Sequence, residues 1–271
     1  VSPWSKGGWV SSEVFDHTSL AMFIEKRFDV TVPGISPWHR AVCGDLSSAF
    51  DFSGHEQADL SQLPDTSNYA TTDAQQLTMD RYSVPERHEP LYQERGTRFS
   101  RKLPYELYVD SLVEDDATVS LAFRNTGSKG VVFHVYDKLH LDRIPRRYTV
   151  EAGKTLADVW DTAQDNGIYD LWIYAPNGFV RAISNLNTSP SQSAKPECQL
   201  DYVNGDVRIS FHNTGSTACK LMIEDNAYRS GGPWLVELEP GETVQRTWSL
   251  QDSASWYDLS VSSDANSGFS R

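Results

Sequence analysis

Apolar and polar residues alternate along short segments in the second half of the chain. In segment 118–124, which reads TVSLAFR, the apolar residues Val119, Leu121 and Phe123 are separated by polar or small residues. A period of two is typical of a β-strand that buries one face. Three further short runs, separated by turn residues, also favour strands: 131–136, 147–152 and 169–174. The spacing of these segments predicts an all-β sandwich.

The all-β pattern occurs twice, at a fixed distance along the chain. FRNTGS at 123–128 recurs as FHNTGS at 211–216, and 211 − 123 = 88. The same offset relates several single residues: Gly153 to Gly241, Trp160 to Trp248 and Tyr169 to Tyr257. NGFVR at 177–181 and SGFSR at 267–271 also correspond, with an offset of 90. A repeat of this length indicates two copies of one structural unit.

We therefore predict a mainly β fold with two tandem β-sandwich repeats, at 102–186 and 195–271. The shared NTG motif predicts a chain reversal in both copies, because Asn tolerates left-handed backbone geometry and Gly is a turn residue. Residues 53–101 are polar and interrupted by prolines. They predict a linker that crosses a surface.

A helical pattern precedes the linker. Asp16, Thr18 or Ser19 can cap a helix. Its apolar residues follow the helical spacing i, i+3, i+4, i+8: Leu20, Phe23, Ile24 and Phe28. An amphipathic helix of this kind must bury its apolar side, yet residues 1–52 otherwise predict only a second short helix after Ser36-Pro37. We predict that residues 1–52 are the C-terminal end of a larger domain.

Composition and charge exclude some classes of partner. The chain has 24 Lys and Arg against 37 Asp and Glu, a net charge of -13, which disfavours nucleic acid and anionic bilayers. No run reaches the roughly 18 to 20 apolar residues of a transmembrane segment. The three cysteines lack CxxC spacing, so no zinc ribbon is predicted. A disulfide between Cys198 and Cys219 is one alternative, and free thiols are the other.

Few residues are candidates for chemistry. Trp172, Trp234 and Trp256 are candidates for contact with a lipid or sugar, with core packing as the alternative. Asp16 and His17 are candidates for the edge of a catalytic cleft, because a histidine oriented by a carboxylate can transfer protons or bind metal. The alternative is that they cap the helix. No metal ligands or cofactor-binding residues are predicted.

Two long motifs carry a specific resemblance. SPWSKGGWVSSEVFDHTSLAMFIEKRF at 2–28 and ISPWHRAVCGDLSSAFDF at 35–52 resemble the end of the catalytic domain of bacterial phospholipases C that prefer choline phospholipids. That family is related to a class of bacterial acid phosphatases. GTR at 96–98, LPYEL at 103–107 and both β repeats extend the similarity over essentially the whole chain.

The resemblance implies an alkaline-phosphatase-like α/β hydrolase core, of which residues 1–52 are the last helical segment. It implies a secreted or periplasmic bacterial enzyme that hydrolyses phosphatidylcholine or sphingomyelin to phosphocholine and diacylglycerol or ceramide. A divalent metal ion polarises the phosphoryl group in such cores. The metal ligands and nucleophile are expected upstream, in an N-terminal catalytic portion, so this chain alone is expected to be inactive. The alternative is a non-enzymatic β-sandwich module that binds lipid head groups or carbohydrate.

Overall fold

The computed structural model describes residues 2, 4, 5, 8–53, 64–81, 83–89, 91, 100–115, 118–187 and 193–271. Its contacts divide the chain into two units, one formed by 1–11 with 46–102 and the other by 12–45 with 103–271. The helices are α1 (His17–Phe28), α2 (Pro37–Val42) and α3 (Tyr69–Gln76). The described part of the chain contains no helix long and apolar enough to cross a membrane.

In the described residues, the two repeats contain fourteen strands, and the second set follows the first at the predicted spacing. The first repeat contains β1 (Leu107–Asp115), β2 (Thr118–Asn125), β3 (Val131–Asp137), β4 (Arg146–Val150), β5 (Lys154–Asp161), β6 (Tyr169–Ala175) and β7 (Phe179–Asn185). The second contains β8 (Pro196–Val203), β9 (Asp206–Asn213), β10 (Cys219–Asp225), β11 (Trp234–Leu238), β12 (Thr243–Trp248), β13 (Leu259–Ser263) and β14 (Phe269–Ser270). The starts of β2 and β9 are 206 − 118 = 88 residues apart. The mainly β prediction is confirmed.

Each repeat is a sandwich with its own core. In β2 and β9 every second residue is buried, as the alternation predicted. The first core combines residues of β1, β2 and β5 with residues of β3, β4, β6 and β7, and the second core is built from the corresponding strands. In each repeat the inner faces of the two packed sheets meet in a single apolar layer, because alternate side chains of each strand point inward.

The two sandwiches are joined through one sheet. Each repeat has a separate three-stranded sheet, β1-β2-β5 or β12-β9-β8. The other strands form one continuous eight-stranded sheet in the order β11-β10-β13-β14-β7-β6-β3-β4. The junction is the antiparallel pair of β14 with β7, in which Phe269 lies opposite Asn185. The prediction of tandem sandwiches left this shared sheet unspecified.

The NTG motif reverses the chain, but for a different physical reason from the predicted one. Asn125 is fully buried, its amide nitrogen donates to the carbonyl of Lys129 at 2.7 Å, and its amide oxygen accepts from Gly127 N–H at 3.0 Å. Asn213 makes the equivalent bonds in the second repeat. Neither Asn has the left-handed backbone that the turn prediction assumed. The motif recurs because each Asn satisfies buried backbone groups beside the turn.

The helical segment packs onto the first sandwich. Gly130 N–H donates to the carbonyl of Ala41 at 2.8 Å, and Val14 N–H donates to the hydroxyl of Tyr105 at 2.9 Å. A small apolar cluster of Met22, Ile35 and Cys43 lies beneath α1 and α2. Residues 12–45 are thus held in the same unit as both repeats.

An ion pair clamps α1 to α2 and predicts a pH effect on stability. The Arg40 guanidinium donates to both carboxylate oxygens of Glu25, at 2.8 and 2.9 Å. These hydrogen bonds, with one from Val32 N–H, lower the pKa of Glu25 from 4.5 to about 2. Because the folded-state pKa is the lower one, this stabilisation is complete above the unfolded pKa and is lost as the pH falls toward about 2.

Glu25→Gln is therefore expected to destabilise the protein near neutral pH and to have little effect near pH ~2. Urea unfolding of both proteins across this range measures the difference. Glu151→Gln, at an exposed turn, is the matched control and should show no such trend. A destabilisation by Glu25→Gln that is equal at all pH values would contradict the assignment.

The three cysteines are free in the structure. Cys198 lies on β8 and Cys219 on β10, strands of different sheets. Of the two alternatives, the structure contains free thiols and not a disulfide between Cys198 and Cys219. Burial raises the pKa of the Cys198 thiol to about 12, which makes it a poor nucleophile.

The other unit has little regular structure in its described part. Val10 and Ser100 form an isolated parallel bridge, and the rings of Trp4 and Phe52 lie 5.8 Å apart. Helix α3 lies within the segment predicted as a linker, and all its residues are exposed.

Candidate functional site

Asp16 and His17 lie at the start of α1. Asp16 is the N-cap: its carboxylate accepts from Thr18 N–H at 2.8 Å, and its own N–H donates to the Ser19 hydroxyl at 3.0 Å. Hydrogen bonding from the Thr18 side chain lowers the pKa of Asp16. The His17 side chain is 89% exposed, and its Nδ1 lies 4.0 Å from the Asp16 carboxylate. Asp16 thus has a capping role, while His17 projects into solvent.

A second histidine lies closer to Asp16 than His17 does. His39 Nε2 is 3.4 Å from Asp16 Oδ2, and His39 Nδ1 is 2.6 Å from the Ser36 hydroxyl. Ser36 is the N-cap of α2, and its hydroxyl also accepts from His39 N–H. The three side chains form a carboxylate–imidazole–hydroxyl line that can hold a proton in a fixed position. The Ser-x-x-His spacing at a helix start was the available sequence signal, but the approach to Asp16 is a tertiary contact.

The outer side of α1 carries an exposed apolar stripe, which we define as Leu20, Ile24 and Phe28. These side chains are 59%, 43% and 65% exposed. They are spaced i, i+4 and i+8, so they share one face. The opposite side of α1 buries Met22 in the small cluster with Ile35 and Cys43. The stripe is therefore not used by the core beneath the helix.

The three candidate tryptophans occupy different environments. Trp172 is half-buried, with Lys138 Nζ 4.4 Å from its ring centre. Trp234 is half-buried, packs against the second core and makes an edge-to-face contact with Trp248 at 5.6 Å. Trp256 is 39% exposed and lies beside Gly178. Trp256 is thus the one of the three with the most surface free for a ligand, while Trp234 is part of the packing.

Two arginines tie the repeats together at the junction of β7 and β14. Arg181 donates to the Tyr257 hydroxyl at 2.7 Å, and Arg271 donates to the Tyr169 hydroxyl at 3.2 Å. The arginines correspond in NGFVR and SGFSR, and the tyrosines correspond at the offset of 88. Each repeat thus contributes an arginine to the equivalent tyrosine of the other, as in a two-fold interface.

The phosphoesterase resemblance implies a divalent metal ion, which needs several oxygen, nitrogen or sulfur donors close together. Among the described residues, no group of three or more His, Cys, Asp or Glu side chains is arranged to hold a metal ion. Asp16 and His39 supply two donors, which is fewer than a divalent ion requires. The described residues therefore do not fit a divalent metal ion.

Comparison with known families gives matches along most of the chain. The model of the bacterial phospholipase C C-terminal domain matches residues 99–184 and again 194–271. The phosphoesterase family model matches residues 1–31. The two copies of the C-terminal domain correspond to the two sandwich repeats.

Three curated relatives match the chain over almost its whole length. Non-hemolytic phospholipase C of Burkholderia pseudomallei is 44% identical over 279 residues, covering 100% of this chain and 39% of the relative. Non-hemolytic phospholipase C of Pseudomonas aeruginosa is 42% identical over 277 residues, covering 100% of this chain and 40% of the relative. Hemolytic phospholipase C of P. aeruginosa is 37% identical over 296 residues, covering 96% of this chain and 40% of the relative.

A segment of the phosphoesterase family followed by two copies of the bacterial phospholipase C C-terminal domain defines the class of protein. The chain belongs to the bacterial phospholipase C family. It spans about 40% of the length of the curated relatives that it matches.

Proposed function

We propose that the chain is the C-terminal part of an exported bacterial phospholipase C that hydrolyses phosphatidylcholine or sphingomyelin. Phosphocholine and a diacylglycerol or ceramide are the products. The observation that carries this proposal is the match of one chain to both a phosphoesterase segment and two copies of the phospholipase C C-terminal domain. The names of the relatives support phospholipase C activity, and the choline preference rests on the motifs at 2–28 and 35–52.

In this proposal the catalytic chemistry belongs to an N-terminal portion, and the apolar stripe of α1 packs against it. Asp16 and His17 then lie at the edge of the cleft, with Asp16 holding His39. The sandwiches act as a scaffold for that portion, and Trp256, at an exposed position, contacts lipid. Two observations support this arrangement: the stripe is exposed, and the relatives are about two and a half times as long as the chain.

Phosphocholine release tests the proposal. The full-length protein is expected to release phosphocholine from phosphatidylcholine or sphingomyelin vesicles, and the purified 271-residue chain is expected to release none. Phosphatidylethanolamine vesicles are the control for choline preference. Turnover by the 271-residue chain at the rate of the full-length protein would contradict the proposal, as would a full-length protein without activity on any of these lipids.

A further inference from the structure

A cavity lies at the junction of the two repeats, between the layer of three-stranded sheets and the eight-stranded sheet. Its volume is about 720 Å³, within the range of roughly 300–1,000 Å³ that ligand pockets occupy. Most of its wall is apolar or aromatic and comes from the inner sides of β1, β7, β8 and β13. Trp256 and Gly178, which lie beside each other, are also among its lining residues.

Two arginines and two acidic residues, Glu106 and Asp258, are the charged residues among those that line this mainly apolar cavity. The Arg181 guanidinium donates to the Tyr257 hydroxyl and to the Val180 carbonyl, and its carbon lies 4.6 Å from the ring centre of Phe179. Arg271 donates to carbonyl oxygens and to the Tyr169 hydroxyl, and its Nε is buried without a partner. The hydrogen-bond partners of both guanidinium groups are therefore neutral.

No carboxylate of the described residues forms an ion pair with Arg181 or Arg271. Burial acts to lower the pKa of Arg181, but the interactions with Tyr257 and Tyr202 outweigh this effect and raise the pKa overall. The guanidinium therefore stays charged. Asp110 and Glu197 interact electrostatically with Arg181 and Arg271, respectively, but not at ion-pair distance, and a buried cation without a direct ionic partner is costly. An anionic group bound in the cavity would be able to pair with either guanidinium directly, which no carboxylate of the described residues does.

The two acidic residues that line the cavity, Glu106 and Asp258, form hydrogen bonds with groups other than the arginines. Glu106 binds the hydroxyls of Tyr108 and Thr126, and Asp258 binds the amide of Asn226. Asp110 and Glu197 lie on β1 and β8 and line a separate groove. Burial raises the pKa of both carboxyl groups, while Arg181 acts to lower that of Asp110 and Arg271 that of Glu197. None of these carboxylates neutralises the two arginines by direct contact.

We propose that this cavity binds an amphiphile with one apolar chain and an anionic head, a carboxylate or a phosphate monoester. The aromatic and aliphatic wall contacts the chain, and Arg181, with Arg271, pairs with the head. Guanidinium groups suit both heads, because their N–H groups form paired, charge-assisted bonds to carboxylate or phosphate oxygens. This ligand is neither the choline lipid nor a product of the proposed reaction, so the inference goes beyond the proposed function.

Isothermal titration calorimetry of the complete 271-residue chain tests this. Dodecanoate and dodecyl phosphate, below their micelle concentrations, are expected to bind with one-to-one stoichiometry. Arg181→Met keeps the length of the side chain but removes the charge, and should weaken binding by about tenfold to hundredfold. Arg143→Met is the matched control, because Arg143 pairs with Asp137 outside the cavity, and it should bind like the wild type.

Further variants and ligands distinguish binding in this cavity from binding elsewhere on the chain. If Arg181→Met does not fold, Ser111→Phe fills the cavity from β1 while keeping both arginines, and should abolish binding. Leu20→Asp alters the exposed stripe and should leave binding unchanged. The proposal would be overturned if dodecyltrimethylammonium or inorganic phosphate alone bound with the same affinity as dodecanoate. It would also be overturned if Leu20→Asp lost binding while Ser111→Phe retained it.

Discussion

Leu20→Asp combined with Ile24→Asp is expected to lower the free energy of unfolding of the full-length protein by about 3–6 kcal/mol, because burying each side chain contributes about 1.5–3 kcal/mol. The same change in the 271-residue chain should alter stability by less than about 1 kcal/mol, since both residues are solvent-exposed there. Urea unfolding of both forms measures the difference. Phosphocholine release by the full-length variant should fall with its folded fraction.

Leu141→Asp is the matched control for this experiment. Leu141 is an exposed apolar residue in the loop after β3, so its replacement should be neutral in both forms. An equal loss of stability in the full-length protein and the 271-residue chain would show that the stripe is needed within the chain itself. A neutral result in both forms would show that nothing packs on it.

Gly127→Ala and Gly215→Ala are expected to give the other large effect, a loss of about 3 kcal/mol or more from the free energy of unfolding. A Cβ atom at Gly127 would lie 2.2 Å from the carbonyl oxygen of Pro104, and one at Gly215 would lie 2.1 Å from that of Ser193. Both obstacles are backbone atoms, so no side chain can move to relieve the clash. Thermal or urea unfolding of the 271-residue chain measures the effect.

Gly34→Ala provides the control for the two glycines. Gly34 has open space where a Cβ would be placed and does not have a positive φ. Its replacement should change stability by no more than about 0.5 kcal/mol. If Gly127→Ala and Gly215→Ala changed stability as little as Gly34→Ala, the close contact between each turn and the segment before its repeat would be contradicted.

Local features of the fold could be predicted from the sequence. The alternation of Val119, Leu121 and Phe123 with polar residues identified β2 because a half-buried strand imposes that period. The offset of 88 identified the second repeat because both copies need the same turns and core residues. Asp16 was among the predicted caps of α1 because helix capping depends on neighbouring residues alone.

Features that depend on distant contacts could not be predicted. The pairing of β7 with β14 has no local signal, because any exposed strand edge can in principle accept a partner. The line from Asp16 through His39 to Ser36 joins two helix starts that only the tertiary fold brings together. The crossed bonds of Arg181 to Tyr257 and Arg271 to Tyr169 show the same limit, although both pairs were visible as repeated motifs.

Sequence and structure both indicate that one apolar face of α1 has no partner among the described residues of the chain. The helical spacing predicted an apolar face of Leu20, Phe23, Ile24 and Phe28 without a partner in residues 1–52. Leu20, Ile24 and Phe28 are exposed in the structure, whereas Phe23 is half-buried. The small cluster of Met22, Ile35 and Cys43 accounts for the other side of the helix. An N-terminal hydrolase portion is the partner that we propose for this face.

Maleimide labelling of Phe28→Cys in the full-length protein and in the 271-residue chain tests the proposed contact most directly. Of the native thiols, Cys43 and Cys219 are buried and Cys198 is partly buried, so the unsubstituted proteins provide the background rate. The account predicts rapid labelling of the introduced thiol in the 271-residue chain and strong protection in the full-length protein. Equally rapid labelling in both would contradict it.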